Sequence, residues 1–220
     1  MKTRIITIDG PAGTGKSTVA KTVAEKLGYT FLDTGALYRT CALAVDKING
    51  DIENEEECAK IVAGINIKLF GSKVFLDGID VSKDIRTNRI STLSSKIAAH
   101  PSVRNLMLNI QRSFPKFSSI VAEGRDTGSV VFPDADVKIY LDASLEERAK
   151  RRHNEMILKG ISVPIEQIIN DVKERDDRDR TRESSPLVIP YNSTVVDTTH
   201  MNLDEVIETV LKEIKKKLPD

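Results

Sequence analysis

Residues 10–18 form the stretch GPAGTGKST, and this stretch decides the fold of the chain. It contains the pattern G-x-x-x-x-G-K-[ST], with an apolar strand-like run at 5–8 before it and a helical pattern over 18–27 after it. Glycines let such a loop turn tightly and aim backbone N–H groups at a polyphosphate, while the next helix adds its positive end. The stretch therefore predicts a phosphate-binding loop. The alternative, a glycine-rich turn that binds nothing, is disfavoured by the flanking strand and helix.

Two side chains of this loop have specific chemistry. Lys16 can reach the β- and γ-phosphates of ATP, and the Ser17 hydroxyl can ligate Mg²⁺. The residues that we expect to bind ATP are Gly10, Pro11, Ala12, Gly13, Thr14, Gly15, Lys16, Ser17 and Thr18.

The composition sets limits on the class of protein. The 220 residues suit one globular domain with insertions, and 33 basic and 33 acidic residues give a formal net charge of zero. No global field would therefore attract the chain to nucleic acid or an anionic membrane. Cys41 and Cys58 lack metal spacing and are expected to be packing residues in a reducing cytoplasm, and no apolar run approaches membrane-spanning length.

Short runs rich in Val and Ile alternate with helical patterns, which is typical of an α/β fold with one parallel sheet flanked by helices. Five strands are predicted at 4–8, 30–32, 119–122, 137–141 and 194–196. Helices are predicted at 17–27, 36–47, 88–99, 102–114, 145–158, 165–179 and 203–218. About 85 residues separate the second and third strands, far more than one crossover helix needs. Alternation over 65–70 and 73–76, with a third segment at 79–81, predicts a small antiparallel sheet inside this insertion.

Polar residues follow the second and third strands, at the sheet edge where ligands bind in such folds. After the second strand, Thr34 could cap the next helix or contact a ligand, and Arg39 projects back over Gly35 at i+4. After the third strand, Arg125 and Asp126 could bind a heterocycle and a phosphate, or form only an ion pair with each other.

Arginines also gather on two later helices. Arg148, Arg151 and Arg152 share one helix face, which is either a functional group of arginines or an exposed face with salt bridges. Arg175 and Arg182 lie on one stripe with Asp179 between them, which suits a bidentate grip on phosphate. One triphosphate loop and several arginines for a second anion together indicate phosphoryl transfer.

The motifs GPAGTGKST, LDTGALYR, EGRDTGSVVFPDA with VKIYLDAS, and KERDDRDRTR resemble the bacterial cytidylate kinase family over nearly the whole chain. The resemblance implies a P-loop fold and ATP-dependent phosphorylation of CMP and dCMP. It implies that the acceptor is bound by Thr34, Tyr38, Arg39, Ser95, Arg104, Arg125, Asp126, Arg175, Asp179 and Arg182. Ser95 and Arg104 rest on the resemblance alone.

The same resemblance implies catalytic roles for Lys16 and Arg125, and for Arg151 or Arg152 from a mobile lid. Mg²⁺ is expected on Ser17, with Asp33 reached through water and the part of Glu123 left open. The implied domains are a core of residues 1–33, 119–147 and 164–220, a monophosphate-binding region at 34–118 with its small sheet at about 65–81, and a lid at 148–163.

The acceptor would be a phosphate oxyanion, which needs no general base, and the three histidines share no spacing. A monomer acting on ATP, CMP and dCMP is expected, without nucleic acid or membrane partners. Three alternatives are a small-metabolite kinase with Asp33 as base, a GTPase-like switch, and a nucleic-acid-binding module using the Arg-rich helix.

Overall fold

The computed structural model describes residues 3–71, 73–158 and 160–218. The ends of the predicted core at 1–2 and 219–220, Ser72 in the predicted hairpin turn and Lys159 in the predicted lid lie outside the described residues. The chain forms two compact units, Met1–Phe31 with Ser118–Asp220, and Leu32–Phe117.

Eight strands are formed within the part of the chain that the structure describes. In chain order they are β1 Ile5–Asp9, β2 Thr30–Asp33, β3 Ile67–Phe70, β4 Lys73–Leu76, β5 Ile79–Asp80, β6 Ile120–Gly124, β7 Val137–Asp142 and β8 Thr194–Asp197. The five-stranded sheet has the order β2-β6-β1-β7-β8, and the β1 pairings with β6 and β7 and the β7–β8 pairing are parallel. The three-stranded sheet β3-β4-β5 is antiparallel. The α/β fold with its added small sheet is therefore confirmed.

Eight α-helices are found among the described residues. They are α1 Lys16–Leu27, α2 Thr34–Lys47, α3 Glu55–Gly64, α4 Asn88–Ile97, α5 Pro101–Ser113, α6 Leu145–Leu158, α7 Ile165–Thr181 and α8 Leu203–Lys217. A π-helical turn covers Thr127–Val131, and short 3₁₀ turns cover Asp84–Arg86 and Phe114–Lys116.

Helix α3 was not predicted from the sequence. It is short, and it presents to the core only two fully buried side chains, Cys58 and Val62, at i and i+4. Its start is marked by Asn54, whose side chain accepts a hydrogen bond from Glu57 N at 3.1 Å. A ten-residue helix with so small an apolar face gives a weak periodic signal.

Each unit has its own core. In the first, the inner strands have near-continuous apolar runs because helices cover both faces of a parallel sheet, as the side chains of Ile6, Ile8 and Ile139 illustrate. In the second, the core lies around α2, where Cys41 packs with its Sγ 3.4 Å from Met107 Sδ.

Both cysteines are buried, as predicted for packing residues, and both are free thiols. Within the described ranges, no helix is long and apolar enough to cross a membrane.

Candidate active site

The phosphate-binding loop connects the end of β1 to the start of α1, as the sequence predicts. Gly10, Gly13 and Gly15 have φ values of 150°, 82° and 82°, a region that other residues rarely adopt. A Cβ on Gly10 would lie 2.0 Å from Leu141 O, and one on Gly13 would lie 2.9 Å from Arg148 O. The loop therefore requires glycine at these two positions for space as well as for conformation.

Lys16 lies inside this loop. Its side chain is buried, and Nζ donates hydrogen bonds to Pro11 O at 2.6 Å and to Thr14 Oγ1 at 3.3 Å. These contacts place the ammonium group within the ring of backbone that a polyphosphate would enter. The lysine is thus held where its charge can meet phosphate oxygens.

The electrostatic surroundings of Lys16 are mixed. Burial lowers the pKa of its ammonium group well below the usual value, and the charges of Arg125 and Arg175 lower it further. The carboxylates of Glu123 and Asp179 act in the opposite direction. Arginines and carboxylates of the first unit are therefore close enough to the loop to influence the pKa of Lys16.

Ser17 Oγ donates a hydrogen bond to Glu123 Oε1 at 2.7 Å. Glu123 is buried at the end of β6, which lies beside β1 in the sheet. A hydroxyl and a carboxylate oxygen side by side suit a hard divalent cation whose remaining ligands are phosphate oxygens and water. Among the described residues no group of three or more His, Cys, Asp or Glu could hold a metal by itself.

Arg125 and Asp126 pair with other residues, so the alternative that they only form an ion pair with each other is wrong. Arg125 Nε donates to Asp179 Oδ2 at 2.8 Å, and Asp126 Oδ1 accepts from Arg182 Nη2 at 3.4 Å. Both residues follow the last residue of β6, Asp126 with φ −140° and ψ 19°, and each side chain reaches a different partner near the end of α7. The sheet edge and the arginine-rich helix are thus joined by two ion pairs.

Asp179 is at the centre of this cluster. Burial alone would raise the pKa of its carboxyl group, but Arg125, Arg175 and Arg182 lower it below its usual value. The expected stripe is present in part. Arg175 and Asp179 lie on α7, whereas Arg182 follows the last helical residue and turns back so that its side chain is only 5% exposed.

The three arginines of α6 have three different environments. Arg148 is buried and bonds to Ala12 O, Ala143 O and Asp176. Arg151 contacts the Glu147 carboxylate and Thr198, with Nη2 donating to Thr198 O at 2.6 Å. Arg152 pairs with the exposed Glu155. The interpretation as an exposed salt-bridged face thus fits Arg152 and is wrong for Arg148.

In the second unit, Asp33 rather than Thr34 caps α2. The Asp33 backbone is extended, with φ −81° and ψ 91°, and its Oδ1 accepts from Ala36 N at 2.7 Å. Thr34 is the first helical residue and is buried, so the capping alternative for Thr34 is wrong. The helix consequently begins two residues before its predicted start, because an aspartate in extended conformation satisfies the free N–H groups.

The Asp33 carboxylate also binds two arginines. Arg39 Nη2 lies 3.1 Å and 2.9 Å from its two oxygens, and Arg86 Nη2 lies 3.6 Å from Oδ2. Arg39 folds back over Gly35, as the i+4 spacing indicated, with Nη1 3.0 Å from where a Gly35 Cβ would be.

Tyr38 and Arg104, both predicted on the acceptor side, are neighbours in the second unit. The Arg104 guanidinium carbon lies 5.3 Å from the centre of the Tyr38 ring, and Nη1 donates to Ala98 O at 3.1 Å. Ser95 is buried on α4, the helix that ends just before Ala98. The geometry therefore holds Arg104 in a fixed, stacked orientation.

Sequence reasoning missed three charged residues of these clusters, namely Asp9, Arg86 and Asp176. Asp9 is fully buried at the end of β1, where it accepts hydrogen bonds from Thr127 N, Thr127 Oγ1 and Gly128 N. Burial raises the pKa of its carboxyl group despite these bonds. An aspartate that directly follows an apolar strand was the only available signal for it.

A P-loop after the central strand of a parallel sheet, with a buried lysine in the loop, defines a P-loop nucleotide-binding protein, and the arginines near it suit phosphoryl transfer. A family model described as cytidylate kinase matches residues 6–216. The chain therefore belongs to the cytidylate kinase family and is an ATP-dependent transferase, which uses ATP with a divalent metal ion.

Individual relatives agree with this assignment. A cytidylate kinase from Klebsiella pneumoniae is 45% identical over 218 residues, covering 97% of this chain and 96% of the relative. A cytidylate kinase from Aeromonas salmonicida is 46% identical over 222 residues, covering 98% and 96%. A solved shikimate kinase from Bacteroides thetaiotaomicron has a TM-score of 0.50 at 12% identity, covering 97% of each chain, and this likeness concerns the fold alone. The cytidylate kinase family differs from all three alternatives considered from the sequence, namely a small-metabolite kinase, a GTPase-like switch and a nucleic-acid-binding module.

Proposed function

We propose that the chain transfers the γ-phosphate of ATP to the phosphate of CMP and of dCMP, giving ADP and CDP or dCDP. The observation that carries this proposal is the arginine–carboxylate cluster whose charges reach Lys16 in the P-loop, in a chain of the cytidylate kinase family. A triphosphate loop and a second basic site in one unit are what transfer between two phosphates requires.

On the donor side, residues 10–18 bind the ATP phosphates. Lys16 stabilises the negative charge that develops on the β- and γ-oxygens during transfer. Its position within the loop, bonded to Pro11 O, supports this role because a modest movement of Nζ would exchange a carbonyl oxygen for a phosphate oxygen. The loop N–H groups and the start of α1 add positive potential at the same place.

The metal ion is Mg²⁺ in this proposal, with Ser17 as its protein ligand. The bond from Ser17 Oγ to Glu123 Oε1 supports a further part for Glu123 as a partner of metal-bound water. Asp33 through water stays a prediction, and its carboxylate already serves the α2 cap and two arginines. When bound, the ion would supply charge neutralisation between the phosphates.

The acceptor is bound by the residues that the resemblance to the family assigns to it. We assign its phosphate and ribose to Thr34, Arg39, Arg125, Arg175, Asp179 and Arg182, and its base to Tyr38, Ser95, Arg104 and Asp126. The bond from Arg125 to Asp179 supports the phosphate assignment, because a carboxylate can hold a guanidinium group in register for a bidentate grip on phosphate.

No general base enters the mechanism. The acceptor phosphate is an oxyanion at pH 7 and attacks the γ-phosphorus in line, so the protein contributes position and charge neutralisation. Arg125 meets the developing charge, and Arg151 or Arg152 joins it from the lid at 148–163. Arg151 would have to leave Thr198, to which it is bonded through two nitrogens.

The proposed cellular setting follows from composition and side chains. We propose a cytoplasmic protein without nucleic-acid or membrane partners, because the buried thiols are free and the formal net charge is zero. We also propose that it is a monomer. Light scattering coupled to gel filtration tests the monomer, and a dimer mass would contradict it.

An ADP-release assay tests the function directly. The purified protein is given ATP and Mg²⁺ with CMP, dCMP, UMP, AMP or GMP, and shikimate and gluconate serve as alcohol acceptors. The highest kcat/KM is expected with CMP and dCMP, and no turnover with the alcohols. Faster turnover with an alcohol than with CMP would contradict the proposal, and product detection by chromatography distinguishes transfer from ATP hydrolysis.

A further inference from the structure

A buried ion pair holds both backbone groups of one residue in the P-loop. Ala12 N donates to Asp176 Oδ1 at 3.1 Å, and Ala12 O accepts from Arg148 Nη1 at 3.0 Å. Arg148 Nη1 also bonds to Asp176 Oδ2, which closes the arrangement. We call these three residues the Ala12 clamp.

The Ala12 clamp is well shielded from water. The Arg148 and Asp176 side chains are 6% and 4% exposed, so removing either charge alone would leave the other buried and unpaired. Arg148 Nε is fixed by Ala143 O at 3.0 Å, at the beginning of α6. The guanidinium group is therefore bonded to Ala143 O on one side and to Ala12 O of the loop on the other.

Contact with the loop extends to the backbone. Gly13 lies so close to Arg148 that an added Cβ would be 2.9 Å from Arg148 O and 3.0 Å from Arg148 Cβ. Helices α6 and α7 thus meet the loop at Ala12 and Gly13, directly before the residues whose N–H groups face phosphate in the proposed function.

Asp176 and Asp179 on α7 bind different partners. They lie three residues apart, one bonded to the loop at Ala12 and the other to Arg125. A change at Asp176 therefore removes the contact with the loop while the ion pair that supports the acceptor arginines keeps both partners.

We propose that Arg148 and Asp176 are positioning residues that hold the P-loop, through Ala12, in the shape that binds the ATP phosphates. This inference rests on the proposed function in assigning ATP to the loop. A well-packed apolar pair of similar size would often be as stable as the ion pair itself, but it could not make the two backbone bonds to Ala12.

The main test is the double variant Arg148→Met/Asp176→Leu, which removes both buried charges and keeps the volume. It should still fold, with a Tm lowered by several degrees because Ala12 N, Ala12 O and Ala143 O lose their side-chain partners. Its Kd and KM for ATP should rise on the order of 10-fold or more, because the loop loses its orientation, as misplaced binding groups generally show. The KM for CMP should stay within about 2-fold, since Asp179 and Arg125 are untouched.

Single variants separate the bonds. Asp176→Asn keeps an oxygen for Ala12 N and should recover a large part of the ATP affinity that Asp176→Ala loses. Glu174→Gln is the matched control, because Glu174 is 71% exposed on the same helix and pairs only loosely with Arg178 at 3.8 Å. Hydrogen exchange of amides 12–15 should be faster in the double variant and unchanged in the control.

A folded double variant with unchanged Kd for ATP would overturn the inference, as would equal increases in the KM values for ATP and CMP. The direct Kd for ATP keeps this outcome separate from the proposed function. If the native protein binds ATP but does not phosphorylate CMP, the proposed function fails, and a raised Kd in the double variant still supports the clamp.

Discussion

Arg125 Nε and Asp179 Oδ2 lie 2.8 Å apart and join the end of β6 to the last turns of α7 across 54 positions of sequence. Their side chains are 17% and 6% exposed, so the pair is largely screened from solvent. The pair links the end of β6 to the arginine-rich helix α7. The charges of both residues also influence the pKa of Lys16.

Asp179→Asn should destabilise the protein at pH 7 by about 1 to 3 kcal/mol, as expected for a lost charged hydrogen bond. Arginines lower the pKa of Asp179 in the folded state, so its stabilising contribution is present above the unfolded pKa and is lost as pH falls through the folded one. Urea unfolding at pH 7, 5, 4 and 3 should show the difference between native protein and variant shrinking below about pH 4. A difference that stays constant from pH 7 to 3 would contradict this.

Lys16→Ala should abolish turnover and leave the fold intact. A loss of kcat on the order of 10³ or more is expected, because a charge that follows the transferring phosphoryl group is removed. Lys21→Ala is the control, since Lys21 lies on the same helix, is 52% exposed and forms a long ion pair with Glu25 at 3.9 Å. Near-normal kcat in a folded Lys16→Ala protein, measured by ADP release, would refute the P-loop assignment.

Asp126→Asn should narrow the preference for CMP over UMP. Cytosine presents an amino donor where uracil presents a carbonyl acceptor, so a carboxylate at that edge attracts one base and repels the other. The contact is worth roughly 1 to 3 kcal/mol, or about 5- to 150-fold in the ratio of kcat/KM. Both acceptors are measured on the native protein and the variant at the same ATP and Mg²⁺.

Because Asp126 also lies 3.4 Å from Arg182, a general loss of acceptor binding must be separated from a loss of base discrimination. Arg182→Ala provides this comparison, since it should raise the KM for CMP and UMP together. An unchanged CMP-to-UMP ratio in Asp126→Asn would mean that another residue distinguishes the bases.

The predicted lid at 148–163 should become protected from hydrogen exchange when both nucleotides bind. Its far end leaves apolar side chains in water, with Ile157 and Leu158 53% and 87% exposed, and closure over the nucleotides would exclude water from the transfer. Protection should be greatest at 152–163, because Arg148 is already fixed. Exchange in α8 is the internal control, and equal exchange of the lid with and without CMP and ADP would count against closure.

Local patterns predicted most of the fold. The P-loop, the five strands and seven helices could be predicted because each depends on residues that are close in sequence. The start of α2 was misplaced, since Asp33 and Thr34 are both good capping residues and only the backbone conformation distinguishes them.

The candidate site was predictable only in part, for a physical reason. Asp9 finds its partners 118 and 119 positions away, and Asp176 finds Ala12 across 164 positions. No local periodicity signals such pairs. Arg148 was noticed for its place on a helix face, but its burial against the loop depends on packing that one sequence does not display.

Gly10 and Gly13 face main-chain atoms of Leu141 and Arg148, and main-chain atoms cannot swing aside as a side chain does. The positions of β7 and α6 therefore set the width of the phosphate-binding loop. A methyl group at either glycine would require the strand or the helix to move. Because all nucleoside triphosphates carry the same phosphates, a phosphate-binding loop of fixed width cannot distinguish one from another.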